Sequence, residues 1–376
     1  MKTLGLYIHI PFCLRKCAYC NFVSYPDRLA DSNRYIDALI NEARLYADEL
    51  NSRVIDTVFI GGGTPSLLSP TQMDKLLGGL RDNANWDCTE ITIEANPETL
   101  DEDRLAAYAA LGINRLSIGL QTHDDTILRA IGRNHTWNTF ETAYQNASRY
   151  FNNINADVIF GLPGQTLSGF GETLDRLICL APAHISAYAL KLEAGTPLEK
   201  RFKGTDEDTD RKMYHLAADK LGKAGYLHYE TSNFAKTNRE CQHNLKYWMG
   251  DEYLGLGVAA YSYLNENGCR RFGNTADFND YLKSIDAHKR PVCEEDVLSE
   301  ADLILEYIML RFRLRQGINF DEYRVRFNQD FLEAFEQAVE ITLKAGLITA
   351  DSGGIRPTLK GFDLQNTLIS EYIKKL

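Results

Sequence analysis

The 376-residue sequence contains only eight cysteines, which is far below the density of a protein organised by disulfide bonds. It also lacks any apolar run of membrane-spanning length, and residues 1–5 lead directly into a strand pattern without the regions of a signal peptide. From these absences we expect a cytoplasmic protein in a reducing setting, with no membrane-spanning segment. Peripheral contact with a membrane surface stays open.

An excess of positive charge is lacking too, since 41 Lys and Arg stand against 52 Asp and Glu and give a formal net charge of −11. This balance disfavours a broad surface that neutralises phosphates, so no nucleic-acid partner is expected. Low-complexity segments and long linkers are absent, apart from an acidic stretch at residues 204–210 that is typical of a solvated loop and helix start.

The sequence does contain three closely spaced thiols, Cys13, Cys17 and Cys20, with three and then two residues between them. One short loop with this spacing can wrap an iron–sulfur cluster, and three cysteines on a four-iron cubane leave one iron open to another ligand. No fourth cysteine follows closely, because the next residues are Asn21 and Phe22. Structural zinc is the alternative, but zinc prefers four ligands in a closed site. The other five cysteines, Cys88, Cys179, Cys241, Cys269 and Cys293, are scattered singly, and most are expected to be small core residues.

Short apolar runs alternate with helix-like segments from residue 4 to about residue 191, which is the pattern of parallel βα units. A helix is predicted over Ser32–Leu50, and Ser69 with Pro70 marks the start of another. Six such units are fewer than the eight of a closed barrel, so an α/β fold with an incomplete (βα)6 barrel is expected. The predicted strands are Leu4–Ile10, Val54–Ile60, Glu90–Ala95, Asn114–Leu120, Asn155–Phe160 and His184–Leu190.

A second region follows, in which helices precede a hairpin. Ser299 indicates a helix start leading into Leu303–Leu314, and Phe331–Leu343 is a further amphipathic helix. Two short strands at residues 347–349 and 355–358 read as a hairpin. This order favours a small winged-helix-like module, so two domains are predicted, at 1–295 and 296–376. Residues 300–376 hold 10 Lys and Arg against 12 Asp and Glu, which favours a structural or substrate-covering role over DNA binding.

Chemically unusual residues follow five of the predicted strands, at the ends where βα barrels build their sites. The cysteine loop follows the first strand, and a glycine run at residues 61–63 follows the second, where it permits close backbone approach. The carboxylates of Glu94 and Asp157 can hold ribose hydroxyls, and Gln121 and Arg133 can reach other polar groups of a nucleoside. Each of these side chains could also simply cap the mouth of the barrel.

The cysteine loop together with these strand ends resembles the radical S-adenosylmethionine (SAM) superfamily, in which SAM chelates the fourth iron of a [4Fe–4S] cluster. The likeness to its coproporphyrinogen dehydrogenase branch begins at residues 7–13 and covers essentially the whole chain. It implies an incomplete barrel, an external electron donor, and cluster ligation by Cys13, Cys17 and Cys20. No catalytic acid or base is assigned, because the cofactor supplies the reactivity. The implied SAM contacts are Tyr7, Tyr19, Gly62, Gly63, Thr64, Glu94, Gln121, Arg133, Asp157 and Ala189.

Two departures from the dehydrogenase pattern resemble the HemW-type haem chaperone branch instead. Phe22 stands where the dehydrogenase has a further cysteine, and the first cluster ligand is already at position 13, without the dehydrogenase's N-terminal extension. Residues 243–248, HNLKYW, resemble a motif of the chaperone branch that is associated with haem, which makes His243, Tyr247 and Trp248 the implied haem contacts. Imidazole ligates haem iron, and aromatic rings pack on the porphyrin face.

The same residues allow other interpretations. His243 could be a capping or core histidine with ordinary aromatic packing around it, and Cys241 could act as a thiolate ligand in its place. The leading hypothesis is a haem chaperone that binds haem, a [4Fe–4S] cluster and SAM and delivers haem to recipient haemoproteins. Whether it is also an enzyme stays open. The alternative is oxygen-independent coproporphyrinogen III oxidation, and the acidic balance disfavours a radical SAM enzyme that modifies nucleic acid.

Overall fold

The structure is a computed structural model that describes residues 2–265 and 268–374 of the chain. Within these residues no helix is long and apolar enough to cross a membrane. The described residues form two large hydrophobic cores, one made by residues between Leu4 and Ile285 and one by residues between Ile304 and Tyr372, and a small third cluster around Ile131 and Leu162. The predicted division at residues 295 and 296 falls inside a strand, Val292–Val297, that pairs with the sheet of the first core.

Six parallel strands build the first half of the chain and pair in sequence order. Each agrees with a predicted strand to within four residues at both ends. They are β1 Thr3–Ile10, β2 Val54–Gly62, β3 Trp86–Ala95, β4 Arg115–Gln121, β5 Ile154–Phe160 and β6 His184–Ala189. The helices between them are α1 Ser32–Leu45, α2 Ala47–Asn51, α3 Pro70–Arg81, α4 Glu102–Ala110, α5 Asp125–Ala130, α6 Trp137–Ala147 and α7 Leu167–Leu180.

The two faces of these strands differ in polarity. Alternate residues such as Leu116 and Ile118 of β4 are fully buried in the apolar core, whereas residues between them, such as Ser117, hydrogen-bond to polar side chains of neighbouring strands. Side chains on successive strand positions point to opposite faces, so the barrel has an apolar outside under the helices and a polar inside. A site at the barrel mouth is therefore continuous with a polar interior.

The predicted helix Ser32–Leu50 is divided at Tyr46, whose backbone leaves the helical region at φ −109° and ψ 23°. The guanidinium of Arg290 lies 4.1 Å from the centre of the Tyr46 ring and donates two hydrogen bonds to the carbonyl oxygen of Leu45. A continuous helix would use that carbonyl for its own hydrogen bond, so the contact with a distant residue favours the break. In contrast, α3 starts at the predicted position, with Ser69 as its N-cap in a capping box.

Both edges of the parallel sheet are extended by strands that the sequence pattern did not predict. Strand β9, Tyr253–Leu256, pairs with β1 in parallel, so a seventh parallel strand precedes β1 in the sheet. The order across the sheet is β12-β11-β10-β9-β1-β2-β3-β4-β5-β6-β8-β7. The added elements are α8 Glu207–Lys223, β7 Leu227–Glu230, β8 Asn233–Ala235, α9 Gln242–Met249, β9 Tyr253–Leu256, β10 Tyr261–Asn265, β11 Cys269–Asn274, α10 Phe278–Asp286 and β12 Val292–Val297.

The C-terminal region is a small helical module with a three-stranded sheet in the order β13-β15-β14, as a winged-helix-like fold requires. Ser299 is the N-cap that the sequence predicts, in a capping box with Asp302, and the helix after it ends at Arg311 rather than at the predicted Leu314. The predicted hairpin is present and lies slightly off the predicted bounds. The elements are α11 Glu300–Arg311, β13 Ile318–Asn319, α12 Phe320–Phe327, α13 Phe331–Lys344, β14 Ile348–Asp351, β15 Gly354–Pro357, α14 Leu359–Asp363 and α15 Gln365–Ile373.

Candidate functional site

A cavity of about 340 Å³ lies at the carboxyl ends of the parallel strands. The loops after β1, β2, β3 and β4 and the ends of β5 and β6 all contribute to its wall, which is where a βα barrel concentrates its chemistry. Residues from the predicted cluster and SAM positions that line it are Cys13, Cys17, Tyr19, Cys20, Gly62, Gly63, Thr64, Glu94, Gln121, Arg133, Asp157 and Ala189. Nine of the ten predicted SAM positions and all three cysteines therefore share one cavity.

The exception is Tyr7, which does not line the cavity. It lies in the barrel interior, where its hydroxyl is 3.1 Å from Nδ1 of His9 and its ring stacks on Phe59. His9 in turn contacts the carbonyl oxygen of Val23 through Nε2 at 2.8 Å. Through His9, Tyr7 thus connects β1 to the segment that follows the cysteine loop, behind the residues that line the cavity.

The cysteine loop is fixed by hydrogen bonds with the loop after β2 and with the residues that follow α5. The backbone N–H of Ala18 donates to the carbonyl of Ile131 at 2.9 Å, and the Thr64 hydroxyl donates to Cys13 Sγ at 3.7 Å. The Arg133 guanidinium lies 3.8 Å from Cys17 Sγ through Nη1. Burial raises the pKa of the Cys13 and Cys20 thiols, opposed by hydrogen bonds to the sulfur atoms. Donors at a sulfur atom favour the thiolate form in which cysteine binds metal.

No group of three His, Cys, Asp or Glu side chains in the residues that the structure describes converges as the ligands of one metal ion would. A four-iron cubane does not require such convergence, because each of its cysteine ligands binds a different iron. Cys13, Cys17 and Cys20 reach one cavity from one loop, and Cys13 and Cys17 receive hydrogen bonds at sulfur. This donor set fits a [4Fe–4S] cluster.

The glycine run after β2 passes directly against the cysteine loop. A side chain on Gly63 would place its Cβ 2.6 Å from the carbonyl oxygen of Phe12 and 3.0 Å from Cys13 Sγ. At Gly62, which has φ +112°, a Cβ would meet the His9 ring at 2.7 Å. Glycine is needed here because two segments of backbone meet at van der Waals distance.

Two carboxylates, Glu94 and Asp157, line the same cavity and interact electrostatically. The Glu94 carboxylate accepts a hydrogen bond from the N–H of Gly62 at 3.0 Å, and burial, helped by the negative charge of Asp157, raises the pKa of Glu94 to about 7. Burial also raises the pKa of Asp157, opposed by hydrogen bonds from Ser117 and Asn155 at 2.9 and 2.8 Å. Acceptors of this kind suit the hydroxyl and amino groups of a nucleoside and of an amino acid.

The wall formed by the end of β4 and by Arg133 after α5 shows backbone strain and an unpaired donor. Gln121 has φ +70°, next to an irregularity in the pairing of β4 with β5. Arg133 donates from Nη2 to the carbonyl of Gly119 at 2.7 Å, whereas its buried Nε has no partner within the described residues. Strained backbone and an unsatisfied buried donor are found preferentially at binding sites. They indicate that this wall is completed by a polar ligand.

Sequence reasoning missed several residues of the site. Ser117 and Tyr188 line the cavity, and Asn155 holds Asp157 from behind. The signal was present, because Ser117, Asn155 and His184 are polar residues in strands that consist largely of apolar residues. Only the pairing of the strands shows that these positions share one face.

The predicted haem residues lie outside this cavity, on α9. His243 is fully buried, with Nδ1 3.0 Å from the Thr57 hydroxyl and Nε2 2.9 Å from the Tyr247 hydroxyl. Burial lowers the pKa of His243 to about 3. Trp248 is half-buried, and the guanidinium of Arg313 lies 5.5 Å from its ring centre. Both nitrogens of His243 are engaged, so iron ligation by His243 requires α9 to change its position.

The start of α9 is held in the barrel by Glu90 of β3. Its carboxylate accepts hydrogen bonds from the N–H groups of Gln242 and His243, both at 3.0 Å. The thiol of Cys241 lies 3.5 Å from the same carboxylate, and burial raises the pKa of that thiol to about 12. An accessible thiolate at Cys241 is therefore disfavoured in this arrangement.

Comparisons with known proteins agree with this geometry. The profile described as the Radical SAM superfamily matches residues 7–177, and the HemN C-terminal domain matches residues 298–364. A solved structure of coproporphyrinogen III oxidase (HemN) from Escherichia coli, described as a radical SAM enzyme, has a similar fold. It superposes on this chain with a TM-score of 0.87 at 24% sequence identity, and the match covers 100% of this chain and 91% of that chain. This confirms the predicted fold of a partial barrel with a C-terminal module.

Curated relatives match along the full length. "Heme chaperone HemW" of Buchnera aphidicola (Acyrthosiphon pisum) is 34% identical and covers 100% of this chain and 99% of the relative. The proteins of that name from Lactococcus lactis and Bacillus subtilis are 32% and 30% identical, each over at least 98% of both chains. The cysteine loop, the cavity and these matches along both domains show that the chain belongs to the HemW family of the radical SAM superfamily.

Proposed function

We propose that this protein is a haem chaperone that binds a [4Fe–4S] cluster, SAM and haem and delivers haem to recipient haemoproteins. The observation that carries the proposal is the match over both full lengths to relatives named heme chaperone, at up to 34% identity. The one loop bearing Cys13, Cys17 and Cys20 at the mouth of a single cavity supports the cluster and SAM parts.

In this proposal the three cysteines hold the cluster, and the remaining contacts hold SAM in the cavity. A SAM-ligated cluster supplies one-electron chemistry when an external donor reduces it. The chain's own residues position and shield the ligand. Asp157 and Glu94 accept hydrogen bonds from its polar groups, Arg133 donates, and Gly63 lets the β2 loop lie against the cysteine loop. The other proposed SAM contacts are Tyr7, Tyr19, Gly62, Thr64, Gln121 and Ala189, with Tyr7 acting from behind the wall.

The haem part of the proposal depends on α9. His243, Tyr247 and Trp248 supply an imidazole and two aromatic rings on one short helix, which suits an iron porphyrin. In the described structure His243 is enclosed by Thr57 and Tyr247. Haem ligation by His243 therefore implies that α9 shifts or partly unwinds, exchanging two protein hydrogen bonds for iron ligation.

The test begins with anaerobic reconstitution of the purified protein and analysis of its iron and sulfide. Haem is then titrated and followed by its Soret band, and the loaded protein is mixed with apomyoglobin as a generic acceptor. We expect stoichiometric haem binding and transfer of haem to the acceptor. Absence of stoichiometric binding contradicts the chaperone proposal, and a bound tetrahedral metal ion without sulfide contradicts the cluster.

The same preparation also tests whether the protein is a haem chaperone or an enzyme that oxidatively decarboxylates coproporphyrinogen III. With SAM, a reductant and coproporphyrinogen III under anaerobic conditions, the proposal predicts no protoporphyrinogen. Its formation would favour the enzyme instead. Phe22, which is 61% exposed at the cavity rim, stands where that enzyme's pattern has a cysteine.

A further inference from the structure

Behind the cavity wall, a series of hydrogen-bonded side chains runs from Asp157 through the buried Asn155 and His184 to Tyr229 and the start of α9. The Asp157 carboxylate is 2.8 Å from Nδ2 of Asn155, and Oδ1 of Asn155 is 2.6 Å from Nδ1 of His184. Nε2 of His184 lies 2.8 Å from the hydroxyl of Tyr229. That hydroxyl is 3.2 Å from the backbone N–H of Cys241, the N-cap residue of α9.

The two ends of the chain fix the direction of each hydrogen bond. An ionised Asp157 only accepts, so Asn155 turns its amide nitrogen towards it and its oxygen towards His184. Nδ1 of His184 then carries the proton and donates, which leaves Nε2 as an acceptor for the Tyr229 hydroxyl. At the other end, the N–H of Cys241 donates to the Tyr229 oxygen, which leaves the hydroxyl proton for His184. All donors therefore point towards Asp157.

Supporting contacts keep the chain in place. Ser117 accepts from Asn155 at 2.8 Å and donates to the second oxygen of Asp157 at 2.9 Å. Ser186 donates to the Asn155 oxygen at 3.2 Å. His184 is fully buried, and burial together with the charge of Arg115 lowers its pKa well below the usual range, so the ring is neutral as the chain requires.

We propose that His184 and Tyr229 are positioning residues that orient Asn155 and thereby hold the Asp157 carboxylate towards the cavity. Hydrogen bonds aligned in one direction polarise each other, so the chain strengthens the donor that faces the carboxylate. The inference rests on the proposed function, in which Asp157 binds the nucleoside part of SAM. It assigns a role in SAM binding to two residues that do not line the cavity.

The experiment compares Tyr229→Phe with Tyr226→Phe. Tyr226 is a buried tyrosine close in sequence, and its hydroxyl donates to the Pro182 carbonyl at 2.7 Å. Its replacement removes a similar hydrogen bond but none of those that link Tyr229 to Asp157. SAM binding to each reconstituted full-length protein is measured by equilibrium dialysis. We expect the Kd for SAM to rise about 5- to 10-fold in Tyr229→Phe and to stay within about twofold in Tyr226→Phe. Equal Kd values in the two variants overturn the proposal.

A second measurement does not depend on SAM or on the folding of a variant. Nitrogen-15 spectra of the histidine-labelled wild-type chain report which nitrogen of His184 carries the proton. The Nδ1–H tautomer supports the chain, and the Nε2–H tautomer or a charged ring overturns it. If wild-type protein binds no SAM at all, the SAM part of the proposed function fails. The tautomer of His184 still decides whether the hydrogen-bond chain from Tyr229 to Asp157 exists.

Discussion

Tyr247 and His243, four residues apart on α9, are joined by a hydrogen bond of 2.9 Å between the tyrosine hydroxyl and Nε2 of the imidazole. The other ring nitrogen contacts the Thr57 hydroxyl of β2 at 3.0 Å. The motif assigned to haem thus also fastens α9 against the inside of the barrel. Variants at this pair can separate the two roles.

The first prediction concerns haem. His243→Ala removes the proposed ligand and should abolish the Soret shift while leaving iron and sulfide unchanged. Tyr247→Phe keeps the imidazole and frees its Nε2, so it should retain haem binding. Absorbance titrations of both variants decide the matter. Wild-type haem affinity in a folded His243→Ala protein would show that the ligand is another residue.

The second prediction concerns pH and the same histidine. In the unfolded chain an imidazole binds a proton below about pH 6.5, whereas burial lowers the pKa of His243 to about 3 in the folded protein. The unfolded state therefore binds more protons in this window, and stability is lost as the pH falls through it. Because of this residue, the free energy of unfolding falls by up to about 1.4 kcal/mol for each pH unit in this window.

The measurement is the free energy of unfolding of wild type and His243→Gln between pH 8 and pH 5. We expect the advantage of wild type to shrink by about 1 kcal/mol between pH 6.5 and pH 5.5. A constant difference across the range is the contrary outcome, and it would mean that the imidazole is not held neutral.

The third prediction concerns the contact between the β2 loop and the cysteine loop. Gly63→Ala places a methyl group 2.6 Å from the Phe12 carbonyl, so one of the two loops must shift. We expect reduced iron and sulfide after reconstitution. Gly78→Ala is the matched control, because its methyl group meets nothing within 4 Å and lies in helix α3. It should raise stability by about 0.5–1 kcal/mol. Equal cluster content in both variants contradicts the tight fit.

The fourth prediction concerns cluster ligation. Cys17→Ser removes one of the three proposed thiolate ligands and exchanges the sulfur that the Arg133 guanidinium contacts for a hydroxyl oxygen. Iron and sulfide should fall from about four of each per chain to near zero, with loss of the cluster's absorption. Cys179→Ser serves as the control, because Cys179 is exposed at the end of α7 and is not part of the cavity wall. A full cluster in Cys17→Ser would exclude this ligand set.

The fifth prediction concerns stability. Arg53 and Glu252 form a two-pronged ion pair at 2.8 and 3.1 Å with side chains only 4% and 9% exposed. Glu252→Gln leaves a buried positive charge and should cost about 3–5 kcal/mol of unfolding free energy. In the pair Arg34–Asp286 the side chains are 61% and 63% exposed, and Asp286→Asn should cost less than about 1 kcal/mol. Denaturant titrations compare the two, and similar losses would contradict the burial argument.

Much of the fold could be predicted because its signals are local. Strand periodicity located six parallel strands, and Ser69 and Ser299 marked helix starts through side chains that act within one turn. The end of α1 could not be predicted, because Arg290 takes the carbonyl of Leu45 from far along the chain. The same holds for β9, which pairs with β1 across about 250 residues.

By itself, the sequence determined the elements of the chemistry. Residue spacing within one loop placed Cys13, Cys17 and Cys20 together, and strand ends placed Gly63 and Asp157 at one edge of the sheet, because parallel strands end at the same edge. Only the tertiary structure decided which partners these groups meet. It sets Tyr7 behind the cavity, encloses His243 inside the barrel and links Asp157 to α9. Contacts of this kind depend on strand pairing and burial, which no local pattern of residues contains.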